Sequence, residues 1–372
     1  MANLFNRFYR NLPVRIAGYD QHLHLLNAVE RRHIRRSQWA AMAIAALLSV
    51  AGFLGYYLPL YWSPHFFPAA TLAIPGIEMT MRLPWAELLW CILLTTVELV
   101  LLTLLNIAGV HEIAVATGFI NAGNKIEKSE ELLQVGLEKK TTDVIQYGID
   151  PFQGLSKWML FLFNVVLRLK GWAGNQIIRY LTRTLLGRYA VRALLDFAGM
   201  PLYMAINAYS VHAVMREARV VILGRTTIGL LMERLPEIEL SATEKDLLYD
   251  TLQYIAVSKR DFHQNHYRLT REMLEFFQIP KEKNHPLPDD YFEKLERAPA
   301  AVRALCLIVI LMGFILDGRI SWRERLKLRW LSSEGILKES HAEMRRYLRD
   351  FLNGRGVDEL IGAYVSIASV AD

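Results

Sequence analysis

The sequence predicts an all-α protein, and three observations support this fold class. Two runs in the first third are apolar over the length of a membrane-crossing helix. Three Ser-x-x-Glu boxes in the last third precede residues that are apolar at helical spacing. We find no stretch in which apolar and polar residues alternate as they do in a half-buried strand.

The first apolar run extends from Gln38 to Trp62, within a segment that has no Asp, Glu, Lys or Arg from Ser37 to Ile77. A helix needs about 20 apolar residues to cross about 30 Å of hydrocarbon, so this run is long enough. Trp39 and Trp62 mark its two ends, as interfacial aromatic residues do. The run starts too late and is too long for a cleaved signal peptide.

The second apolar run extends from about Trp85 to about Val110, directly after Pro84. The two runs predict a transmembrane hairpin over 37–112, preceded by a basic cytoplasmic segment over 1–36. The loop between the runs carries a single basic residue, Arg82. Basic residues are frequent before the first run and after the second: Arg7, Arg10, Arg15, Arg31, Arg32, Arg35, Arg36, Lys125, Lys128, Lys139 and Lys140. Such loops stay in the cytoplasm, so we expect both termini there.

Residues 113–225 are predicted to form a juxtamembrane helical region. Its segment Leu155–Trp172 is apolar but short between its basic residues, and it fits two interpretations. It lies in the membrane interface with Trp158 and Trp172 as anchors, or it is a buried helix of a cytoplasmic domain. A basic, aromatic stripe follows, and we expect an anionic lipid surface as its partner. The stripe includes Arg179, Arg183 and Arg188.

The segment 193–214 is apolar but is interrupted by Asp196, Pro201 and Asn207. We interpret it as a broken helix pair that touches the membrane. The alternative is a third crossing, which would place the C-terminus outside. The stretch over 200–225 faintly resembles the Asn-containing helical segment of EcsC-type membrane-associated proteins.

Residues 226–372 read as a domain of capped amphipathic helices. Its helix starts are marked by three capping boxes: Ser241 with Glu244, Ser321 with Glu324, and Ser340 with Glu343. The segment Ala300–Leu316 is apolar on all faces and shorter than a comfortable span, which predicts a central core helix.

The residues after this core helix read DGRISWRE, from Asp317 to Glu324. An apolar helix followed by this turn resembles the TerB family of tellurite-resistance domains, and Phe351–Ile361 is similar to their closing helix pair. The resemblance implies a helical domain that binds divalent metal through acidic residues and works in membrane-linked stress complexes. It assigns Asp317 and Glu324 as metal ligands. Arg319 and Arg323 oppose a cation there, and capping alone also accounts for the residue types of the turn.

Glu98 falls at the middle of the second apolar run, where a carboxylate is costly and often functional. It has either a transport or proton-handling role, or it is a protonated side chain that bonds across the hairpin or to another protomer. In the domain, Asp261, His263 and His266 are a weaker candidate for metal binding.

The sequence contains no catalytic or nucleotide-binding motif, so we predict neither a catalytic residue nor a cofactor site, apart from the divalent metal. We therefore expect a bacterial inner-membrane protein that is not an enzyme, whose TerB-like domain is a scaffold or sensor in an envelope or metal stress response. The alternative is a subunit of an ion- or proton-coupled membrane assembly that uses Glu98. Expected partners are membrane lipids and other membrane or cytoplasmic proteins, a second copy of the chain included, and no nucleic acid.

Overall fold

The computed structural model describes residues 2–14, 24–68, 70–73, 80–120, 125, 189–235, 238–259, 263–281 and 285–370. Over these residues the protein is helical except for one short β ribbon, so the predicted all-α class is confirmed. The predictions for Leu155–Trp172, its two tryptophans, and Arg179, Arg183 and Arg188 lie outside the described residues.

The N-terminal part consists of three helices and the ribbon. In chain order the elements are α1 (Ala2–Asn11), α2 (Ala28–Trp62), a 3₁₀ turn (Pro64–Phe66), β1 (Ala70–Ala73), β2 (Thr80–Leu83) and α3 (Trp85–Ala116). The two strands pair antiparallel in the connection between α2 and α3. Helix α2 begins earlier than the predicted span because Asn27 and Glu30 form a capping box ahead of the arginine-rich turn.

Helices α2 and α3 are long and apolar enough to cross a membrane. Their outward faces carry large apolar side chains that are at least half exposed: Leu47, Leu88, Leu89, Ile92, Leu93 and Leu99. A contiguous exposed apolar face of this kind is unusual on a protein surrounded by water and suits a helix surrounded by lipid.

Helix α4 (Tyr189–Arg234) is a single helix of 46 residues. The predicted break within 193–214 is wrong, because the helix continues through Pro201. Proline removes one backbone hydrogen bond, but a long helix supported by neighbouring helices can tolerate that loss. Pro201 lies on the exposed side of α4, where its ring displaces no packed side chain. Helix α4 packs against α2 and α3, and its contacts with them include Tyr203 and Asn207 as well as Met215.

The C-terminal part contains seven further helices. They are α5 (Ala242–Lys259), α6 (Gln264–Phe276), α7 (Tyr291–Arg297), α8 (Ala300–Ile315), α9 (Trp322–Ser333), α10 (His341–Leu352) and α11 (Asp358–Val370). Helix α8 is buried along almost its whole length and packs against α5 and α11, as expected of the central core helix. The C-terminal half of α4 contributes Met215, Leu223 and Ile228 to the same core. The predicted domain boundary at 225/226 therefore falls inside α4.

The predicted helix caps are present. The Ser321 and Ser340 side chains each accept the backbone N–H three residues later, and Glu324 and Glu343 each accept the serine N–H in return. Ser241 and Glu244 make the same pair of bonds at the start of α5. Gly318, which follows α8, has a φ of 72°, a left-handed conformation that suits glycine.

Candidate functional site

Two clusters of polar side chains surround the carboxylates that the sequence singled out. The hairpin cluster consists of Ser49 on α2, Glu98 on α3 and Asn207 on α4. The Asn207 side-chain amide donates one hydrogen bond to Glu98 Oε1 at 2.6 Å and another to Ser49 Oγ at 2.7 Å. Since an amide NH₂ carries two protons, these bonds use the whole donor capacity of Asn207. Three helices are therefore joined at one point, the middle of α3.

Two small residues of α2 allow this close approach. Ser49 is buried, and its hydroxyl donates to the Ala45 carbonyl in the preceding turn at 3.2 Å. Gly52 faces the carboxyl group of Glu98, and a Cβ atom at Gly52 would lie 3.4 Å from Glu98 Oε2. A Cβ atom at Gly52 would still be in van der Waals contact, but a side chain longer than that of alanine would meet the carboxyl group of Glu98. Small residues have the same role at many helix contacts within membranes.

The partners of Glu98 in the hairpin cluster are neutral. Among the described residues, no lysine, arginine or histidine forms an ion pair with Glu98. An amide and a hydroxyl can hold a carboxyl group in place whether or not it carries a proton. The arrangement therefore fixes the position of the Glu98 side chain without a charged partner among the described residues.

The domain cluster consists of Lys259, Asp317 and Glu324. Lys259 Nζ lies 2.9 Å from Asp317 Oδ1 and 3.3 Å from Glu324 Oε2. It also donates to the Phe314 carbonyl at 3.2 Å and to the Arg319 carbonyl at 3.3 Å. The side chains of the lysine and the two acids are at most 5% exposed. Four oxygen atoms thus surround one buried ammonium group.

This geometry bears directly on the predicted metal site. The turn brings Asp317 and Glu324 together, as the TerB resemblance implies, but Lys259 Nζ lies at the point between them. A divalent cation bound by both acids would have to displace that ammonium group. Within the described part of the chain, no group of three or more His, Cys, Asp or Glu side chains is placed to hold a metal. Arg319 also lies 3.6 Å from Asp317 Oδ2 and adds a second positive charge.

The two histidines after α5, His263 and His266, form hydrogen bonds with neighbouring groups of the protein. His266 is fully buried and accepts the His263 backbone N–H at Nδ1, so its Nε2 carries the proton and donates to the Gly313 carbonyl at 2.8 Å. Burial lowers the pKa of His266 to about 3, since its surroundings disfavour the charged ring. His263 Nδ1 accepts the Asn265 backbone N–H, and Nε2 bonds to Glu217 on α4. The third candidate, Asp261, lies outside the described residues.

Helix α4 contacts both clusters. Nine residues after Asn207, the Arg216 guanidinium donates to the Gly318 carbonyl at 2.9 Å, within the turn that carries Asp317. One turn later the Val220 carbonyl accepts from the Asn265 side chain, which also donates to the Leu316 carbonyl. One rigid helix therefore links the carboxyl group of Glu98 to the turn of the domain cluster.

Sequence reasoning found the three carboxylates but missed two of their partners. Asn207 drew attention only as an interruption of an apolar segment, and a lone polar residue there was the available signal for a bond to Glu98. Lys259 gave no signal, because a lysine at a helix end is usually exposed to solvent.

Comparison with known proteins gives no further assignment, since no family model, curated protein or solved structure matches this chain.

Proposed function

We propose that this chain is an integral protein of the bacterial inner membrane, with α2 and α3 crossing the bilayer and both termini in the cytoplasm. The apolar length and the exposed apolar faces of α2 and α3 support the membrane location. The arginines before α2 and in its first turns, against one arginine in the connection between α2 and α3, support the orientation. The bacterial assignment rests on the TerB resemblance.

The helical domain, TerB-like by resemblance, is a sensor or scaffold that responds to the state of the hairpin. The observation that carries this proposal is the continuity of α4 from Asn207 at the hairpin cluster to Arg216 and Val220 at the turn beside the domain cluster. Asn207 and Arg216 are separated by only about 13 Å at 1.5 Å per residue. A helix transmits a rotation or shift over that distance with little loss, because its backbone bonds resist bending.

Hydrogen exchange on the full chain in lipid nanodiscs tests this coupling. Asn207→Leu removes the donor that joins α4 to Glu98, and we expect the backbone amides of 318–322 to exchange at least several-fold faster. Thr96→Val is the matched control, because the Thr96 hydroxyl bonds only to the Ile92 carbonyl of its own helix. We expect it to exchange like the wild type. Equal exchange in all three proteins would contradict the sensor proposal.

A second candidate function is a subunit of an ion- or proton-coupled membrane assembly. The specific observation in its favour is that Glu98 bonds to neutral partners, so its charge can change without breaking an ion pair. Glu98→Gln keeps the size of the side chain and the bond from Asn207 but cannot exchange a proton. Loss of a phenotype that depends on pH or membrane potential, at normal expression, would favour this function. An unchanged phenotype would contradict it.

A further inference from the structure

Helix α4 runs antiparallel to α2 along the hairpin. Asn207 bonds to Ser49 near the middle of α2, whereas Arg219 lies close enough to Arg35 to be repelled by it. Moving toward the C-terminus of α2 therefore means moving toward the N-terminus of α4. The first turns of α4 lie at the end of the bundle where α2 and α3 are connected, opposite to the end that joins the domain.

Helix α4 contains an uncharged stretch that is as long as a membrane-crossing segment. The 19 residues from Phe197 to Met215 include no Asp, Glu, Lys or Arg, and Asp196 and Arg216 flank them. At 1.5 Å per residue they extend about 28 Å, close to the thickness of the hydrocarbon. The middle of this segment is at Asn207, which bonds to Glu98 at the middle of α3.

The face of α4 that points away from α2 and α3 carries exposed side chains near Asn207, at the level of Glu98. Leu202 is 58% exposed and Tyr209 is 71% exposed, whereas Val211, Val214 and Met215 are buried. Lipid acyl chains also surround the exposed leucines of α3 at this depth if the proposed function holds. An apolar surface continuous with theirs fits the same partner.

We infer that residues 197–215 of α4 cross the bilayer beside α2 and α3, with lipid acyl chains covering the face that includes Leu202 and Tyr209. This inference rests on the proposed membrane location of α2 and α3. Lys125 is held at the opposite end of the bundle, where its ammonium group donates to the Arg10 and Leu12 carbonyls. The domain that follows α4 stays on the side of the N-terminus.

This topology conflicts with a simple count of positive charges. Arg192, in the first turn of α4, would lie on the outer side, although positively charged residues beside a span are usually retained inside. The packing at the middle of α4 argues the other way, since Asn207 reaches Glu98 only if α4 enters to the depth of that residue. The location of residue 190 decides between the two arguments.

Cysteine labelling in intact cells tests the inference on the full chain. The parent is Cys91→Ser, which removes the exposed native thiol and leaves only the buried Cys306 among native cysteines. Each single cysteine is treated with a membrane-impermeant maleimide. We expect Ser63→Cys, in the outer connection, and Ala190→Cys to be labelled equally. Ser333→Cys, in the domain, should be labelled only after permeabilisation.

The outcomes separate the two proposals. If Ser63→Cys were labelled and Ala190→Cys protected, the inference that α4 crosses the bilayer would be overturned. The proposed location of α2 and α3 would stay intact. Protection of Ser63→Cys would contradict the proposed orientation, and the inference with it.

A second measurement covers the case in which bound neighbours shield residue 190. We expect Ser49→Cys combined with Asn207→Cys to form a disulfide in membranes on mild oxidation, because the Ser49 and Asn207 side chains are in direct contact between α2 and α4. A matched pair, Thr96→Cys with Asn207→Cys, should not, since Thr96 is exposed and bonds to its own helix. Absence of the first disulfide in a membrane-inserted protein would overturn the inference.

Discussion

The two clusters hold carboxylates that lie between helices in different ways. In the domain, Asp317 and Glu324 share the full charge of Lys259 and are closed off from solvent. In the hairpin, Glu98 has an amide and a hydroxyl as its partners among the described residues. In the first arrangement the charges depend on one another, because removing either the ammonium group or a carboxylate leaves its partner buried without an opposite charge. The second tolerates both protonation states of Glu98.

This difference separates a structural site from a candidate signalling site. The domain cluster holds the end of α5 against the turn after α8, and its acids are also a capping residue and a turn residue. Its charges are already balanced within the fold, with Arg319 at the rim. The hairpin cluster binds α4 to α2 and α3 through one amide, and α4 continues to Arg216, whose guanidinium donates to the Gly318 carbonyl beside the domain cluster. We expect perturbations of the two clusters to differ in size for this reason.

The largest expected effect is from Lys259→Met. It leaves two buried carboxylates close together without their counter-ion, and breaking a buried pair in this way costs about 3–5 kcal/mol. The matched control is Lys294→Met, since Lys294 pairs with Asp290 at the surface, where water screens the pair and its loss should cost far less. Pulse proteolysis in urea on the detergent-solubilised chain measures both. Equal costs would show that the domain cluster is not the buried ion pair described above.

The effect of divalent metal on the Tm of the wild type and of Lys259→Met is a second test of the domain cluster. We expect millimolar calcium or manganese to leave the Tm of the wild type unchanged, because Lys259 occupies the point between the acids. In Lys259→Met the two carboxylates are left to bind a cation, so the same ions should raise the Tm. A rise in the wild type that Asp317→Asn removes would instead support the metal site that the TerB resemblance implies.

The next effect in size is the pH dependence caused by His266. Its pKa is lowered to about 3 in the folded protein, first by burial, although Asp317 opposes the shift. The unfolded chain therefore binds the proton first as pH falls, and folding stability decreases between the ordinary histidine pKa and the lowered one. From pH 7 to pH 5 the expected loss is about 2 kcal/mol.

Urea unfolding at both pH values, compared with His266→Gln, isolates this contribution. Glutamine stays neutral and can donate to the Gly313 carbonyl, so the variant should lose about 2 kcal/mol less than the wild type over the same range. Parallel losses in the two proteins would mean that His266 is protonated in the fold. The domain cluster would then lie beside an additional positive charge on His266.

The elements that sequence predicted are those with local causes. The two long apolar helices α2 and α3 follow from uninterrupted apolar length. The caps of α9 and α10 follow from Ser321 and Ser340 with acids three residues later, and α8 follows from its apolar faces. Each signal is contained within one helix and its first turn. The same holds for Gly318, whose positive φ is a local requirement of the turn.

What could not be predicted depends on distant partners. Lys259 meets Asp317 across 58 residues, and Asn207 meets Glu98 across 109. Pro201 looks like a helix break in sequence, yet packing of α4 on α2 and α3 outweighs the loss of one backbone bond. A pattern within one segment contains no information on which helix will cover it.

The smallest expected effect is from Glu98→Gln, and it tests the other half of the comparison. The amide keeps an oxygen that accepts from Asn207 and loses only the ability to carry charge, so stability should change by less than about 0.5 kcal/mol. The equivalent change in the domain, Asp317→Asn, leaves the Lys259 charge less balanced and should cost about 2–3 kcal/mol. Thermal unfolding of the two variants in the same detergent measures this contrast.

Glu98→Leu is the control for the hydrogen bond itself. It removes the acceptor for Asn207, and an interhelical bond in a membrane contributes about 0.6–2 kcal/mol. We therefore expect Glu98→Leu to be less stable than Glu98→Gln by that amount. If Glu98→Gln were as costly as Asp317→Asn, the wild-type carboxylate would have to be ionised beside a cation. The neutral partners Asn207 and Ser49 would then not be the groups that hold it.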